Sequence, residues 1–317
     1  MTLDIIIPAY NSKDTIYRCL FSIAIQKNMP KTTVYIINDC SSYNYSKEID
    51  FFKDYLNIKE LKLNKNSGPG ISRQYGIDNS SNDYIMFIDS DDFLYDPFSI
   101  SKLFECANGI FDIITSDFIY ERDNEVTIKK GDYAWLHGKM YKRYFLKNND
   151  IRFNETRANE NNGFNRLCLF HNPLIKKINN ITYVYSENKD SITRKNNRLY
   201  KFTGLKWLAY NINSSMEIAL KKNLDEEYIF EVCVSLLVAM YYYYLELYDK
   251  YNVNKIIKWC KDTKKIYNKL KFKYDVESII KESISIKKEE YKEKNIKEVI
   301  SFDEFLNRIE EILWLML

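Results

Sequence analysis

The residues Phe87-Ile88-Asp89-Ser90-Asp91-Asp92 put three carboxylates directly behind a short apolar run. Acids at i and i+2 on a turn can share one hard divalent cation, which prefers oxygen ligands and also takes diphosphate oxygens. Such a cation offsets charge on a departing nucleotide. An isolated Asp-x-Asp reads more readily as a solvated turn that ends a strand, and aspartate-nucleophile phosphatases carry the same pair after a strand. Those phosphatases usually have Thr or Val two residues on, whereas Asp92 follows here at once. Two further clusters could hold a nucleotide. Pro8-Ala9-Tyr10-Asn11 offers a fixed backbone and an aromatic face for a flat base, and Asn38-Asp39-Cys40-Ser41-Ser42 offers a carboxylate in a turn. In Ser67-Gly68-Pro69-Gly70-Ile71-Ser72-Arg73, Gly68 and Gly70 permit close backbone approach and Arg73 can address a base or diphosphate. Gly-Pro-Gly lacks the third glycine of a dinucleotide loop and Pro69 removes a donor, which counts against an NAD enzyme.

The elements that must position these groups are legible from periodicity. Leu3 to Ile7, Val34 to Ile37, Glu60 to Leu63 and Tyr84 to Ile88 are short β-rich runs separated by helical stretches, each ending in a polar cluster. That is βαβ order, with a mostly parallel sheet whose strands are buried on both faces and whose ligands bind beyond the carboxyl ends. Between Ile110 and Tyr185 the pattern is mixed, with an aromatic stretch around Tyr133 to Tyr144 and a helix from Asn161 to Phe170. After about Leu199 long helices are expected at Leu205 to Leu220, Tyr228 to Tyr248, Val253 to Leu270 and Phe302 to Met316. The chain therefore divides into 1–200, with a nucleotide-binding half at 1–97 and an acceptor half at 98–200, and a helical region at 201–317.

Charge and cysteine content narrow the function classes. The 317 residues carry 47 basic and 44 acidic side chains, too balanced for nucleic acid to be the default partner. The 27 tyrosines and the bias to Asn, Lys and Ile reflect coding bias. The six cysteines form no C-x-x-C pair, and only His137 and His171 could join them on zinc. Leu3 to Ile7 lacks a basic n-region and runs into Pro8, so it reads as a strand. Reduced thiols in a cytoplasmic protein, peripheral at the inner membrane face at most, fit these observations. Val232 to Leu245 is too short and too closely bracketed by Glu231 and Glu246 to span a membrane, and reads as a buried helix. The apolar end Ile312 to Leu317 implies packing on this bundle or on a second copy, hence a homo-oligomer through the helical tail.

Taken in order, Ile5-Ile6-Ile7-Pro8-Ala9-Tyr10-Asn11, Ile36 to Ser42, Asn66 to Gly76 and the acidic cluster resemble the family 2 glycosyltransferases. Gly138-Lys139-Met140-Tyr141-Lys142-Arg143, Asn159 to Asn165 and Ser191-Ile192-Thr193-Arg194 are similar to later segments of that family, so the resemblance covers about residues 1 to 200. It implies a GT-A fold, Rossmann-like and α/β, with a UDP-sugar donor, Mn²⁺ or Mg²⁺, and single inverting displacement of a hexose onto an unidentified glycan, protein or other hydroxyl compound. By that similarity Pro8, Tyr10, Asn11, Asp39, Gly68, Arg73, Asp89 and Ser90 hold the nucleotide, Asp39 accepting from the uracil ring. Asp91 is the principal metal ligand with Asp89 in support. His137 and Trp135 line the acceptor pocket, with Tyr133 beside them, although a structural histidine and packing aromatics are equally plain readings. The family base is usually the Asp of a Glu-Asp pair, and here the pair is Glu160-Asn161. A neutral amide cannot take the acceptor proton. Either Glu160 substitutes, or the base position is disabled, or Asn161 caps a helix beginning at Asn162. The other functional class is a donor-binding, catalytically silent interaction protein.

Overall fold

The computed structural model describes residues 1–122, 125–131, 134–187, 198–292, 294 and 296–315. The chain forms two compact units, Met1–Asn197 and Arg198–Leu317.

The first unit opens with β1 (Leu3–Ala9), α1 (Ile16–Ala24), β2 (Thr32–Asn38), α2 (Ser46–Phe52), β3 (Ile58–Lys62), α3 (Pro69–Asn79) and β4 (Tyr84–Phe87). It continues with β5 (Phe93–Leu94), α4 (Ser99–Phe104), β6 (Ile113–Arg122), β7 (Glu125–Lys129), β8 (Lys139–Lys142), α5 (Arg143–Asn148), α6 (Glu160–Phe170) and β9 (Ile175–Tyr185). Among the described residues, one sheet holds nine strands in the order β3-β2-β1-β4-β8-β6-β9-β5, with β7 paired to β6. The four strands read from the sequence lie side by side and parallel, β1 between β2 and β4. The apolar runs of β1, β2 and β4 are buried because helices cover both faces, with Ile5, Ile6, Ile7, Ile36, Ile37 and Met86 fully enclosed, while the edge strand β3 has no buried residue. The second half mixes directions: β8 runs antiparallel to β4 and β6, while β6 and β9 run parallel.

Where β1 and β4 lie adjacent, the chain order reverses, and the turns that follow both strands open on one crevice. That edge receives the polar clusters after Ala9, Asn38 and Phe87. Helix α3 lies flush against the sheet because of Gly76, at which a Cβ would stand 2.5 Å from Ile6 Cγ2. A side chain there would push the helix away, so its glycine sets the height of α3 above β1.

The second unit comprises α7 (Arg198–Lys221), α8 (Glu226–Leu247), α9 (Asn254–Trp259), α10 (Lys261–Leu270), α11 (Val276–Glu290) and α12 (Phe302–Trp314). Three starts are fixed by side-chain caps: Asp225, Asp275 and Ser301 accept from the backbone N–H groups of Tyr228, Ser278 and Glu304 at 3.1, 3.2 and 3.1 Å. Helix α8 is apolar and long enough to cross a membrane by composition, yet it is mostly buried against α7, α10 and α11. It is the core helix of this unit.

Two helical expectations change. Val253 to Leu270 is not one uniform helix but α9 and α10, meeting at Cys260. The expected end at Met316 falls outside the described residues, and α12 is followed to Trp314. Trp314 itself is 70% exposed, so this bundle does not cover it.

Candidate active site

The loop before α3 is held from below. Gly68 has φ +91°, a left-handed conformation that strains any side chain, and it precedes Pro69 at the first helical position. Buried Asp39 fixes this loop by accepting the Ser67 and Gly68 N–H groups at 2.7 and 2.8 Å. One turn into α3, Arg73 is enclosed between two carboxylates. Its Nη2 donates to Asp89 Oδ1 at 2.5 Å and its Nη1 to Glu160 Oε1 at 2.7 Å. Burial disfavours the guanidinium charge, but the two carboxylates outweigh it and raise its pKa. Burial likewise works to raise Asp89, and the charge and hydrogen bond of Arg73 override it, so the Asp89 carboxyl lies below its usual range. Arg73 Nε is buried with no partner.

The acidic turn is built on β9. The Tyr183 hydroxyl donates to Asp92 Oδ2 at 2.6 Å and accepts from the Asp89 N–H at 3.2 Å. The Ser186 N–H donates to Asp92 Oδ1 at 2.9 Å. Burial first, then the neighbouring charges of Asp91 and Asp89, push the Asp92 carboxyl well above its ordinary value. His137 stacks on Tyr183, with ring centroids 4.8 Å apart, and its Nε2 is 3.8 Å from Asp92 Oδ2. Burial pulls His137 down to about 3, so it is neutral and this contact is not an ion pair. Its Nδ1 is buried without a partner. Ligand atoms of Asp89, Asp92 and His137 lie within 4.8 Å of one another. The two carboxylates fit a divalent cation of the magnesium or manganese type, whereas the imidazole is a donor of the kind that softer transition metals take.

The other expected residues distribute as follows. Pro8 pairs with Ile37 inside β1, and Tyr10 just beyond it is 48% exposed. Asn11, at φ 50°, accepts from the Ser42 N–H and hydroxyl and so ties the β1 and β2 turns together. Ser90 is buried in the acidic turn, while the Asp91 carbonyl accepts from Arg18 Nη2 at 2.6 Å. Trp135 packs on His137, Tyr120 and Tyr185. Tyr133 and the segment Ser191 to Arg194 lie outside the described residues.

The helix carrying the Glu-Asn pair starts at Glu160, with Asn159 as its left-handed N-cap, so Asn161 does not cap it. The half-buried Asn161 is its second helical residue. The roles of Asp92 and Tyr183 went unread in the sequence because they depend on a hydrogen bond across 91 positions.

The glycosyl transferase family 2 model matches residues 4–162, half of the chain. The chain belongs to this family. Among curated relatives of this family 2 chain, the poly(ribitol-phosphate) beta-N-acetylglucosaminyltransferase TarS of Staphylococcus aureus is 26% identical over 213 residues, 60% of this chain and 36% of that protein. A poly(ribitol-phosphate) beta-glucosyltransferase of Bacillus spizizenii is 39% identical over 98 residues, 30% of this chain and 15% of that protein. This chain thus spans about a third or less of these relatives' length. The solved structure of S. aureus TarS 1-349 with UDP-GlcNAc aligns with a TM-score of 0.68 at 18% identity, over 92% of both chains. A mannosyltransferase from Pyrobaculum calidifontis, in complex with GDP-Man and Mn²⁺, aligns at 0.54 and 11% identity, over 98% of this chain and 87% of that one. The shared fold is GT-A, as the motif order implies.

Proposed function

We propose that this family 2 chain transfers a hexose from a UDP-sugar to a hydroxyl acceptor, by inverting, metal-assisted displacement. The observation that carries this reading is Arg73 bound to both Asp89 and Glu160, because one guanidinium then joins the acidic turn to the helix of the base position. The UDP-GlcNAc complex of a protein with the same fold supports the donor class. Pro8, Tyr10, Asn11, Asp39, Gly68 and Ser90 form the nucleotide side, and Trp135 with His137 the far side. Asp91 and Asp89 would hold Mn²⁺ or Mg²⁺, with Asp92 and His137 beside Asp89. Such a cation supplies charge compensation for the diphosphate leaving group. Glu160 is tied to Arg73 and so acts as a positioning group, which leaves the neutral Asn161 where a carboxylate base belongs. Donor binding is then intact and proton removal slow.

A second reading, donor binding without turnover, rests on Asn161 alone. Titration calorimetry with UDP-sugars and Mn²⁺, followed by an assay of UDP release, tests both. Metal-dependent binding with slow release of UDP is expected. Equal affinity in excess EDTA would refute the metal assignment, and metal-dependent binding with no transfer to any acceptor would favour the second reading.

A further inference from the structure

The lysines of the second unit are concentrated. From Lys250 to Lys273 there are nine lysines and one acid, Asp262, in a chain whose charges otherwise nearly cancel. Helices α9 and α10 turn this run into a face. The Cys260 N–H donates to the Ile256 carbonyl at 3.2 Å and the Cys260 carbonyl accepts the Lys264 N–H at 2.9 Å, so helical hydrogen bonding runs through the junction. On α10 Lys261, Lys265 and Lys269 follow at steps of four residues, within an arc of about 80°, and on α9 Lys255 and Lys258 lie three residues apart, so each helix carries its lysines on one side. Ile256, Ile257, Cys260, Ile266 and Leu270 fill the buried side. Of those five lysines, only Lys265 meets a carboxylate among the described residues, at Asp262 3.2 Å away.

Large apolar side chains protrude beside this face. Phe272, three residues beyond Lys269, is 85% exposed. On α12, Glu310 is tied to Lys264 and Asn268 of α10 at 2.9 Å each, and one helical turn later Trp314 and Leu315 are 70% and 87% exposed. Ammonium groups beside exposed aromatic and aliphatic tips match a phospholipid surface: the lysines meet headgroup phosphates and the tips enter the acyl boundary. A soluble polyanion would engage the lysines and leave Phe272 and Trp314 in water. A second copy meeting this face symmetrically would bring lysines against lysines, a repulsive contact.

We propose that the α9–α10 lysine face, with Phe272 and the Trp314–Leu315 tip, docks this chain on an anionic phospholipid surface. Flotation of the whole chain with vesicles of phosphatidylglycerol and phosphatidylcholine, against phosphatidylcholine alone, reads it directly. Partition onto the anionic vesicles is expected, with release in high salt. Replacing Lys258, Lys261, Lys265 and Lys269 together by Glu should lower it at least ~100-fold. The same four changed to Gln provide a milder variant should the first fold poorly, and melting and UDP release check that both remain intact. Tryptophan emission should shift to the blue on anionic vesicles, and the shift should shrink in Trp314→Phe. Equal partition onto neutral vesicles overturns the proposal, as does a charge-neutralised variant that floats like the parent. Binding to inorganic polyphosphate with none to vesicles, or self-association that buries Trp314 without lipid, overturns it as well.

Discussion

In the proposed mechanism, Asn161 is the residue on which turnover depends most directly. General-base help contributes ~10² to 10⁴ in rate, or about 3 to 5 kcal/mol of barrier. Asn161→Asp should therefore raise kcat by about that factor with donor affinity little changed, whereas Glu160→Gln should disturb Arg73 and weaken donor binding. If Glu160→Gln instead abolishes kcat alone and Asn161→Asp adds nothing, Glu160 is the base. His137 gives a pH signature. Its folded value of about 3 lies below the ~6.5 of an unfolded histidine, so between these values the unfolded chain holds more protons and stability falls as pH drops. In EDTA, going from pH 7 to pH 5 should cost about 2 kcal/mol through this group. Asp92, pushed the other way, contributes with opposite sign, so the test compares the parent with His137→Phe. The variant's stability should fall less steeply on acidification, and identical denaturation profiles against pH would refute the assignment. Asp89 and Asp91 stood out by local spacing and Asn161 by resemblance to the family, but the pairing of Arg73 with Glu160 did not, because it spans 87 positions. Nothing local marks which arginine a carboxylate will meet.

At the level of elements, the Ser67–Gly68 loop is held by one carboxylate, and the geometry of α3 follows from it. Asp39→Ala leaves two amides without their charged acceptor, a loss of about 1.5 to 3 kcal/mol for such bonds. Chemical denaturation should show that loss and calorimetry a weaker UDP affinity; a fully stable variant would mean that water replaces the clamp without cost. Strands β1, β2 and β4 could be read from their apolar runs because both faces are covered, so burial and sequence pattern coincide, whereas β3 sits at the sheet edge without a buried residue. Helix α11 escaped that reading although Val276, Ile279, Ile280 and Ile284 repeat at helical spacing, because Glu, Lys and Ser dominate the segment and none of its residues is buried. The junction at Cys260 escaped it too, as the lysine and isoleucine spacing continues across the two helices.

On the scale of the whole molecule, the change from alternating elements to long helices near residue 199 corresponds to the start of α7 at Arg198, and all the proposed donor residues belong to the first unit. UDP-sugar with Mn²⁺ should therefore stabilise that unit selectively, by about 2.7 kcal/mol at a hundred times its Kd. Calorimetric scanning should show a ligand-dependent rise in the first unit's transition that EDTA reverses, and a shift confined to the second unit would move the donor site elsewhere. Gly76 bears on how such a protein tolerates sequence drift. It touches no proposed ligand, yet a substitution that lifts α3 from Ile6 carries Arg73 and the Gly68 loop with it. A random-mutagenesis screen for lost transfer would recover position 76 alongside Asp89 and Asp91. Its variants could be told apart by suppression: trimming Ile6 to Ala should restore function to Gly76→Ala, and no second-site change on β1 should rescue a lost carboxylate.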